Sequence, residues 1–288
     1  MGRAFAIGVA LNTAFVAAEV GAGLWAGSLA LLADAGHNLS DVLALILAWV
    51  AAALAKRAPA GQRTYGLRKS TILASLTNGV LLMVAVGAIV SESLHRLADP
   101  VSVHTGVVML TAAIGVAINT ATALLFFRGS HGDINVRGAF LHMAGDAAVS
   151  LAVVIGAFVM ARTGFSWIDP VLSLSIAAFI LYATWGLLKE SIDLSLDAAP
   201  KDIDVAKVRA WLAERPGVVE VHDLHIWAMS TTETALTCHL IRPANEDSDA
   251  FLHATCEGLA RRFNIGHATM QVETNPAHAC RLASPEVV

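Results

Sequence analysis

The feature that most constrains this chain is a series of six apolar windows, each long enough to cross a lipid bilayer. A transmembrane helix needs about 20 consecutive, mostly apolar residues. The windows lie at residues 5–27, 30–54, 72–94, 103–127, 137–161 and 168–189. Within lipid, such segments satisfy their backbone hydrogen bonds as helices. The sequence therefore predicts an α-helical membrane protein with six transmembrane helices in residues 1–199.

Residues 200–288 have a different, ordinary mixed composition, although the whole chain is 56% hydrophobic and only 15% charged. This region is expected to form a soluble α-β-β-α-β domain with an open sheet face. The predicted elements are a helix at 204–214, strands at 218–229 and 233–241, a helix at 247–263 with Asp247 or Ser248 as N-cap, and a strand at 267–273. All three cysteines fall here without a CxxC pair, which favours a reduced, cytosolic domain.

The basic residues predict the orientation of the helices. The loops assigned to one side carry nine Lys or Arg residues, whereas the other side has only Arg96 and Arg162. Because cytoplasmic loops are enriched in basic residues, we expect both termini and the C-terminal domain in the cytoplasm and the helices in the cell (inner) membrane. The net charge of −4 does not favour binding to nucleic acid.

Two of the apolar windows carry the same polar motif. His37 and Asp41 are four residues apart in the second window, and His142 and Asp146 repeat this HxxxD spacing in the fifth. Residues at this spacing share one face of a helix. An Asp at the centre of a transmembrane helix costs roughly 2.5–3.5 kcal/mol on insertion scales. Two such pairs therefore need a compensating partner.

A divalent cation would be that partner, since two imidazoles and two carboxylates form a four-coordinate site. This ligand set suits Zn²⁺, with cobalt and cadmium as alternatives. The competing interpretation is a structural hydrogen bond between helices. Asp34 either orients His37 or is a polar residue near the start of its helix. Glu19, Asn78, Glu92 and Asn119 are more typical of packing or cavity positions.

The segments ALLADAGHNLSDVLAL, YGLRKSTILASLTN and NVRGAFLHMAGDAAVS resemble the cation diffusion facilitator family, zinc-transporting branch. The resemblance covers essentially the whole chain. It implies six transmembrane helices, a cytosolic metallochaperone-like domain, a homodimer in the lipid bilayer, and exchange of metal for protons. It assigns the transport site to His37, Asp41, His142 and Asp146.

The same resemblance implies a second zinc site in the soluble domain, formed by His222, His239 and Glu273, with His225, His267, His278 or Cys280 able to complete it. The alternative is a polar sheet face that binds nothing in particular. The resemblance also places a charge contact between Lys69 and Asp197. The loop at 56–70 has no histidine, so we expect no metal site there.

The expected function is export of zinc in exchange for protons, with cadmium and cobalt as further candidate cargoes. Metal binding requires neutral imidazole and ionised carboxylate, so protons and metal compete for the same ligands. A membrane metal sensor that transports nothing is the alternative. A metalloprotease is not expected, because the HExxH motif is absent. An ATP-driven pump is not expected either, because a P-loop needs adjacent Gly and Lys, and here Leu67 and Arg68 separate Gly66 from Lys69.

Overall fold

The structure is a computed structural model that describes residues 3–127, 134–243 and 247–275. Six long helices come first in the chain, close to the predicted windows. Their bounds are α1 Arg3–Ala26, α2 Leu29–Ala55, α3 Ser70–Ala98, α4 Thr105–Phe127, α5 Ile134–Thr163 and α6 Ile168–Ser195. Five of them, α2 to α6, are long and apolar enough to cross a membrane, and α1 contributes a shorter apolar stretch at Thr13–Ala26.

The described chain packs as two compact units. The first comprises residues Met1–Leu47 and Thr77–Gly186, and the second comprises Ala48–Leu76 and Leu187–Val288. The first unit therefore contains most of the six helices. The second joins the adjacent ends of α2, α3 and α6 to the C-terminal sheet domain.

Small residues form much of the core of the first unit. Alanines alternate with larger aliphatic residues at the buried positions, and these are Ala26, Ala30, Leu31, Ala33, Leu82, Val86, Val108, Ala112, Val153, Ala157, Ile176, Ala177 and Ile180. Small side chains let helices approach closely in a membrane, where lipid tails remove the hydrophobic drive for association. Large apolar side chains face outward instead, for example Leu125 and Tyr182, which are 81% and 86% exposed.

The turn between α1 and α2 fixes where α2 begins. Gly27 has a φ of 68°, and the Ser28 N–H donates to the Gly23 carbonyl at 3.1 Å, which is the Schellman arrangement of a helix end. Buried Asp169 of α6 then caps α2: its carboxylate accepts from Ser28 Oγ at 2.5 Å and from the Leu29 N–H at 2.7 Å. A carboxylate at a helix N-terminus pairs with otherwise unbonded N–H groups. The position at which α2 begins is therefore fixed partly by α6.

The second unit contains a three-stranded sheet with two helices. The strands are β1 Glu220–Ala228, β2 Thr234–Ile241 and β3 Ile265–Glu273, and the helices are α7 Val205–Ala213 and α8 Ser248–Phe263. The strand order is β1-β2-β3, with β1 antiparallel and β3 parallel to β2. The parallel pair is connected through α8, as a crossover requires. The predicted α-β-β-α-β order is confirmed.

A β-bulge interrupts β1. The pairing steps from His222–His239 to His225–Thr237, so that Asp223 and Leu224 together face a single residue of β2. Asp223 has a φ of 49°, a left-handed conformation that Asp tolerates better than most residues. Leu224 packs into the core of the sheet domain. The extra residue thereby turns the Asp223 side chain towards the opposite sheet face.

The two helices of the sheet domain begin differently. Asp204 caps α7 by accepting from the Lys207 N–H at 3.1 Å, and this hydrogen bond lowers the pKa of the Asp204 carboxyl. Asp247 is the N-cap residue of α8, as predicted, but its side chain makes no capping hydrogen bond. It pairs with Arg242 instead, and this contact lowers the pKa of Asp247.

Polar contacts join the helix ends of the second unit to the sheet domain. Lys69 Nζ lies 2.6 Å from Asp197 Oδ1, which confirms the expected charge contact. Arg68 pairs with Glu233 in the turn between β1 and β2. The Thr231 N–H in the same turn donates to Thr71 Oγ1 at 3.0 Å. The start of α3 and the β1–β2 turn are therefore held together within this unit.

Candidate metal centres

The two HxxxD motifs meet within the first unit. The four side chains His37 and Asp41 of α2 and His142 and Asp146 of α5 are called the membrane cluster below. Each helix brings its imidazole and carboxylate onto one face, because residues four apart lie one turn apart. The His37 and His142 rings have centroids 5.9 Å apart and meet edge to face. The motifs of the two helices therefore point at each other.

Across the membrane cluster, each imidazole lies close to the carboxylate of the other helix. His37 Nε2 lies 3.4 Å from Asp146 Oδ1, and His142 Nε2 lies 3.3 Å from Asp41 Oδ2. Within each helix the His–Asp distances are 3.9 Å for α2 and 3.7 Å for α5. Ligand atoms about 2.0–2.2 Å from a tetrahedral ion lie about 3.3–3.6 Å from one another. The two distances between the helices fall in this range and the two within a helix are slightly longer. The ligand atoms of His37, His142 and Asp146 all lie within 4.8 Å of one another, and Asp41 stands beside His142 as a candidate fourth ligand.

The membrane cluster is buried on one side and open on the other. The side chains of Asp146 and His37 are 4% and 12% exposed, whereas those of Asp41 and His142 are 34% and 44% exposed. His37 Nδ1 is buried and has no hydrogen-bond partner. One His and one Asp therefore form the back wall, and the other two ligands stand on the accessible side.

Asp34 does not orient His37 through a hydrogen bond, which removes one of its two predicted roles. Its Oδ2 accepts from Ser150 Oγ of α5 at 2.7 Å. Nearby, Asn38 Nδ2 donates to Glu19 Oε2 of α1 at 3.1 Å. Glu19 and Asp34 are both completely buried. A second polar layer, behind the membrane cluster, therefore connects α1, α2 and α5.

A second group of ligand-type side chains lies on the sheet, one on each strand. His222, His239 and Glu273, called the sheet cluster below, have ligand atoms all within 4.8 Å of one another. His239 Nδ1 lies 3.0 Å and His222 Nε2 lies 3.5 Å from Glu273 Oε1. The three side chains are 4%, 13% and 15% exposed. Both ring nitrogens of His222 are buried without a hydrogen bond, and a bound metal ion would provide a partner for one of them.

The bulged Asp223 stands beside the sheet cluster, and sequence reasoning missed it. Its Oδ2 lies 3.5 Å from His239 Nε2 and its Oδ1 lies 2.8 Å from His225 Nε2. His239 thus has a carboxylate on each side, Glu273 at Nδ1 and Asp223 at Nε2. Carboxylates placed behind a metal-binding histidine fix its tautomer and raise its basicity. The available signal was an Asp between two histidines, but strand alternation places such a residue on the core face.

The other residues considered for the sheet site differ in their relation to the sheet cluster. His225 contacts Asp223, and the His267 ring packs edge to face with Tyr65 at 5.7 Å. His278 and Cys280 lie outside the described residues. Cys238 faces the core, where burial raises the pKa of its thiol to about 12, so it is no thiolate ligand at neutral pH.

Long apolar helices, a polar cluster buried among them and a compact sheet domain define a multi-pass membrane protein with a cytoplasmic-type domain. Comparison with protein families gives the class. Residues 5–194 match the cation efflux transmembrane domain, and residues 200–275 match the cytoplasmic domain of cation efflux proteins. The chain belongs to the cation efflux family, which consists of membrane transporters of metal cations. This agrees with the expectation that it is not an enzyme.

Curated relatives are similar over nearly the whole chain. The metal cation efflux system protein CzcD of Cupriavidus metallidurans is 35% identical over 275 residues, covering 95% of this chain and 87% of its own. The zinc transporter ZitB of Escherichia coli is 36% identical over 276 residues, with the same shares covered. The cadmium, cobalt and zinc/H(+)-K(+) antiporter of Bacillus subtilis is 30% identical over 271 residues, covering 91% of this chain and 86% of its own.

The C-terminal part is also similar to a solved structure. It is the metal-bound C-terminal domain of the CzcD transporter from Cupriavidus metallidurans, 33% identical, covering 25% of this chain and 99% of that one, with a TM-score of 0.23.

Proposed function

We propose that the protein exports zinc from the cytoplasm in exchange for protons, with the membrane cluster as the transport site. The observation that carries this proposal is the convergence of His37, His142 and Asp146, with Asp41 3.3 Å from His142, where α2 and α5 meet. Nitrogen and oxygen ligands in this geometry favour zinc, and they also accommodate cadmium and cobalt. Relatives that are named as zinc or as cadmium, cobalt and zinc transporters support the same cargo.

The charge of the membrane cluster suits capture and release of a divalent ion. Two carboxylates balance two positive charges, so the occupied site is electrically neutral within the membrane. Protons compete with the ion, because an imidazolium or a carboxylic acid is a poor ligand. Rocking of helix groups would expose the same four ligands to each side in turn. An inward proton gradient would then drive zinc outwards.

The remaining assignments belong to this proposal. Residues 1–199 form the transmembrane domain in the cell (inner) membrane, and residues 200–288 form the cytosolic domain, with both termini in the cytoplasm. The sheet cluster binds a regulatory zinc ion, supported by its three inward-facing ligands on three strands. The protein acts as a homodimer, consistent with the family of its cytoplasmic domain.

Proteoliposomes with an acidic lumen test the transport proposal. External zinc should enter the vesicles as protons leave, reported by a zinc-sensitive dye and a pH-sensitive dye inside. His142→Ala should abolish both signals, whereas His253→Ala is the matched control, because His253 is exposed on α8 and 78% accessible. Native protein that binds zinc in the membrane cluster but moves none would make the chain a membrane sensor. Unchanged flux in His142→Ala would refute the site.

A further inference from the structure

Two carboxyl groups outside the membrane cluster are sealed inside the first unit. Glu19 of α1 and Asp34 of α2 both have 0% relative exposure. Each has one oxygen bonded to a neutral donor: Glu19 Oε2 accepts from Asn38 Nδ2, and Asp34 Oδ2 accepts from Ser150 Oγ. Neither donor neutralises a negative charge. The function of the two acids is therefore not explained by these bonds.

The remaining oxygen of each carboxyl group lacks a hydrogen-bond donor among the described residues. Glu19 Oε1 and Asp34 Oδ1 are buried and receive no hydrogen bond from any described residue. The two carboxyl groups also lie within hydrogen-bonding range of each other. Among the residues that the structure describes, no Lys, Arg or His forms an ion pair with either. Two adjacent carboxylates repel strongly when water is excluded, and they are stable when one of them carries a proton.

A single proton on the pair lets one group donate to the other, because a carboxylic acid donates where a carboxylate can only accept. We propose that Glu19 and Asp34 share one proton and release it when a divalent cation occupies the membrane cluster. The pair is then a proton site of the exchange, separate from the metal ligands. This inference rests on the proposed function.

The positions of the pair and its donors connect it to the membrane cluster. Asp34 precedes His37 by three residues, and Asn38 directly follows His37 on α2. Ser150 follows Asp146 by four residues on α5. The charged groups that face Asp34 are Glu19, His37 and Asp146, two of which belong to the cluster. A change of charge at the cluster is therefore felt at the pair through adjacent helix turns.

Binding of the metal ion releases the shared proton. An arriving dication adds two positive charges beside the pair and stabilises two carboxylates over one carboxylate and one acid. The O–H bond of the shared acid breaks, its electron pair stays on the oxygen, and the proton passes to water when rocking of the helices opens the sealed pair. When the metal leaves, the pair takes up one proton again. Each transport cycle thereby moves this proton against the metal without protonating a ligand.

Proton release on zinc binding tests the proposal directly. Titration calorimetry of the full-length protein in detergent, in buffers of different ionisation enthalpy at one pH, gives the protons released per zinc bound. Glu19→Gln should still bind zinc and should release about one proton fewer than the native protein. Glu92→Gln is the matched control: this α3 carboxyl is half-exposed and paired with Arg96, so proton release should equal the native value.

Infrared difference spectra of the native protein give a second, independent readout. A protonated carboxyl has a C=O stretch that a carboxylate lacks, so zinc binding should remove such a band. The band should be absent from the start in Glu19→Gln or Asp34→Asn. If native protein exchanges zinc for protons but loses no carboxyl band, or if Glu19→Gln releases the native number of protons, the inference is overturned. If the proposed function itself is wrong, the native protein will show no zinc-driven proton flux, which is a different result.

Discussion

The membrane cluster and the sheet cluster use similar ligands in opposite settings. In the membrane cluster, two side chains are a third or more exposed. In the sheet cluster, every side chain is at most 15% exposed, and His239 has the Asp223 carboxylate behind it. A carboxylate behind a histidine strengthens metal binding. Under the proposed function, this contrast suits a transport site that exchanges its ion and a regulatory site that retains it.

The origin of the ligands also differs. Two helices supply the membrane cluster as two copies of one local motif, whereas three strands each supply one residue of the sheet cluster. Movement of α2 relative to α5 would separate the membrane ligands in pairs. The sheet ligands are fixed by the ladder hydrogen bonds of β1, β2 and β3. Rearrangement is therefore easier in the membrane cluster.

The largest expected effect separates the two clusters by function. Asp146→Asn removes a buried charged ligand of the membrane cluster and should lower zinc flux in proteoliposomes by more than about 100-fold. Glu273→Gln makes the equivalent change in the sheet cluster and should leave maximal flux within a few-fold of native. Both variants should elute from size-exclusion chromatography like the native protein. Equal losses of flux would show that the clusters are not functionally distinct.

The retention of zinc by the sheet cluster should appear as stability. A ligand present at 100 times its dissociation constant stabilises the folded state by about 2.7 kcal/mol. His239→Ala should remove the zinc-dependent rise in the Tm of the sheet domain, measured by calorimetry of the full chain. His253→Ala should retain that rise, because His253 is exposed and distant from the three ligands in sequence and on a different element. An undiminished rise in His239→Ala would contradict the sheet site.

Ligand type in the membrane cluster should control selectivity. His37→Asp converts the set to one imidazole and three carboxylates, and oxygen ligands suit harder cations. The ratio of manganese to zinc uptake in the same vesicles should rise by about tenfold or more. The corresponding His222→Asp variant in the sheet cluster should not alter the ratio. Unchanged preference in His37→Asp would indicate that cavity shape, and not ligand chemistry, selects the ion.

The smallest expected effect concerns the carboxylate behind His239. Asp223→Asn keeps a residue that tolerates the left-handed conformation but removes the charge, so the apo protein should remain about as stable. Its zinc affinity at the sheet cluster should fall by about tenfold, the lower end of the range for such supporting groups. Competition with a zinc chelator measures this. If the variant keeps native zinc affinity, Asp223 has a structural role in the β-bulge and does not support His239.

The helical parts were the most predictable from sequence. Apolar length alone gave the spans of α2 to α6, because lipid leaves a chain few alternatives to helix. The HxxxD spacing put each His–Asp pair on one face before any tertiary information was used. In the sheet domain the order of elements was also readable, although β3 begins at Ile265, two residues before its predicted start.

What the sequence could not decide was which faces meet. No local pattern predicts that imidazole and carboxylate atoms of α2 and α5 lie 3.3–3.4 Å apart. Nor does one predict that Asp169 of α6 caps α2, or that Glu19 faces Asp34. These contacts join positions up to 141 residues apart. Asp223 is the sharpest case, since regular alternation assigns it to the core and only the bulge reverses it.

The sequence by itself therefore determined a membrane-spanning helical domain, a mixed sheet domain and two ligand-bearing helix faces, because periodicity and apolar length act along the chain. Only the tertiary structure decided the geometry of the clusters and the pairing of the buried acids. Packing and strand register are settled by contacts between distant segments, which no single segment encodes.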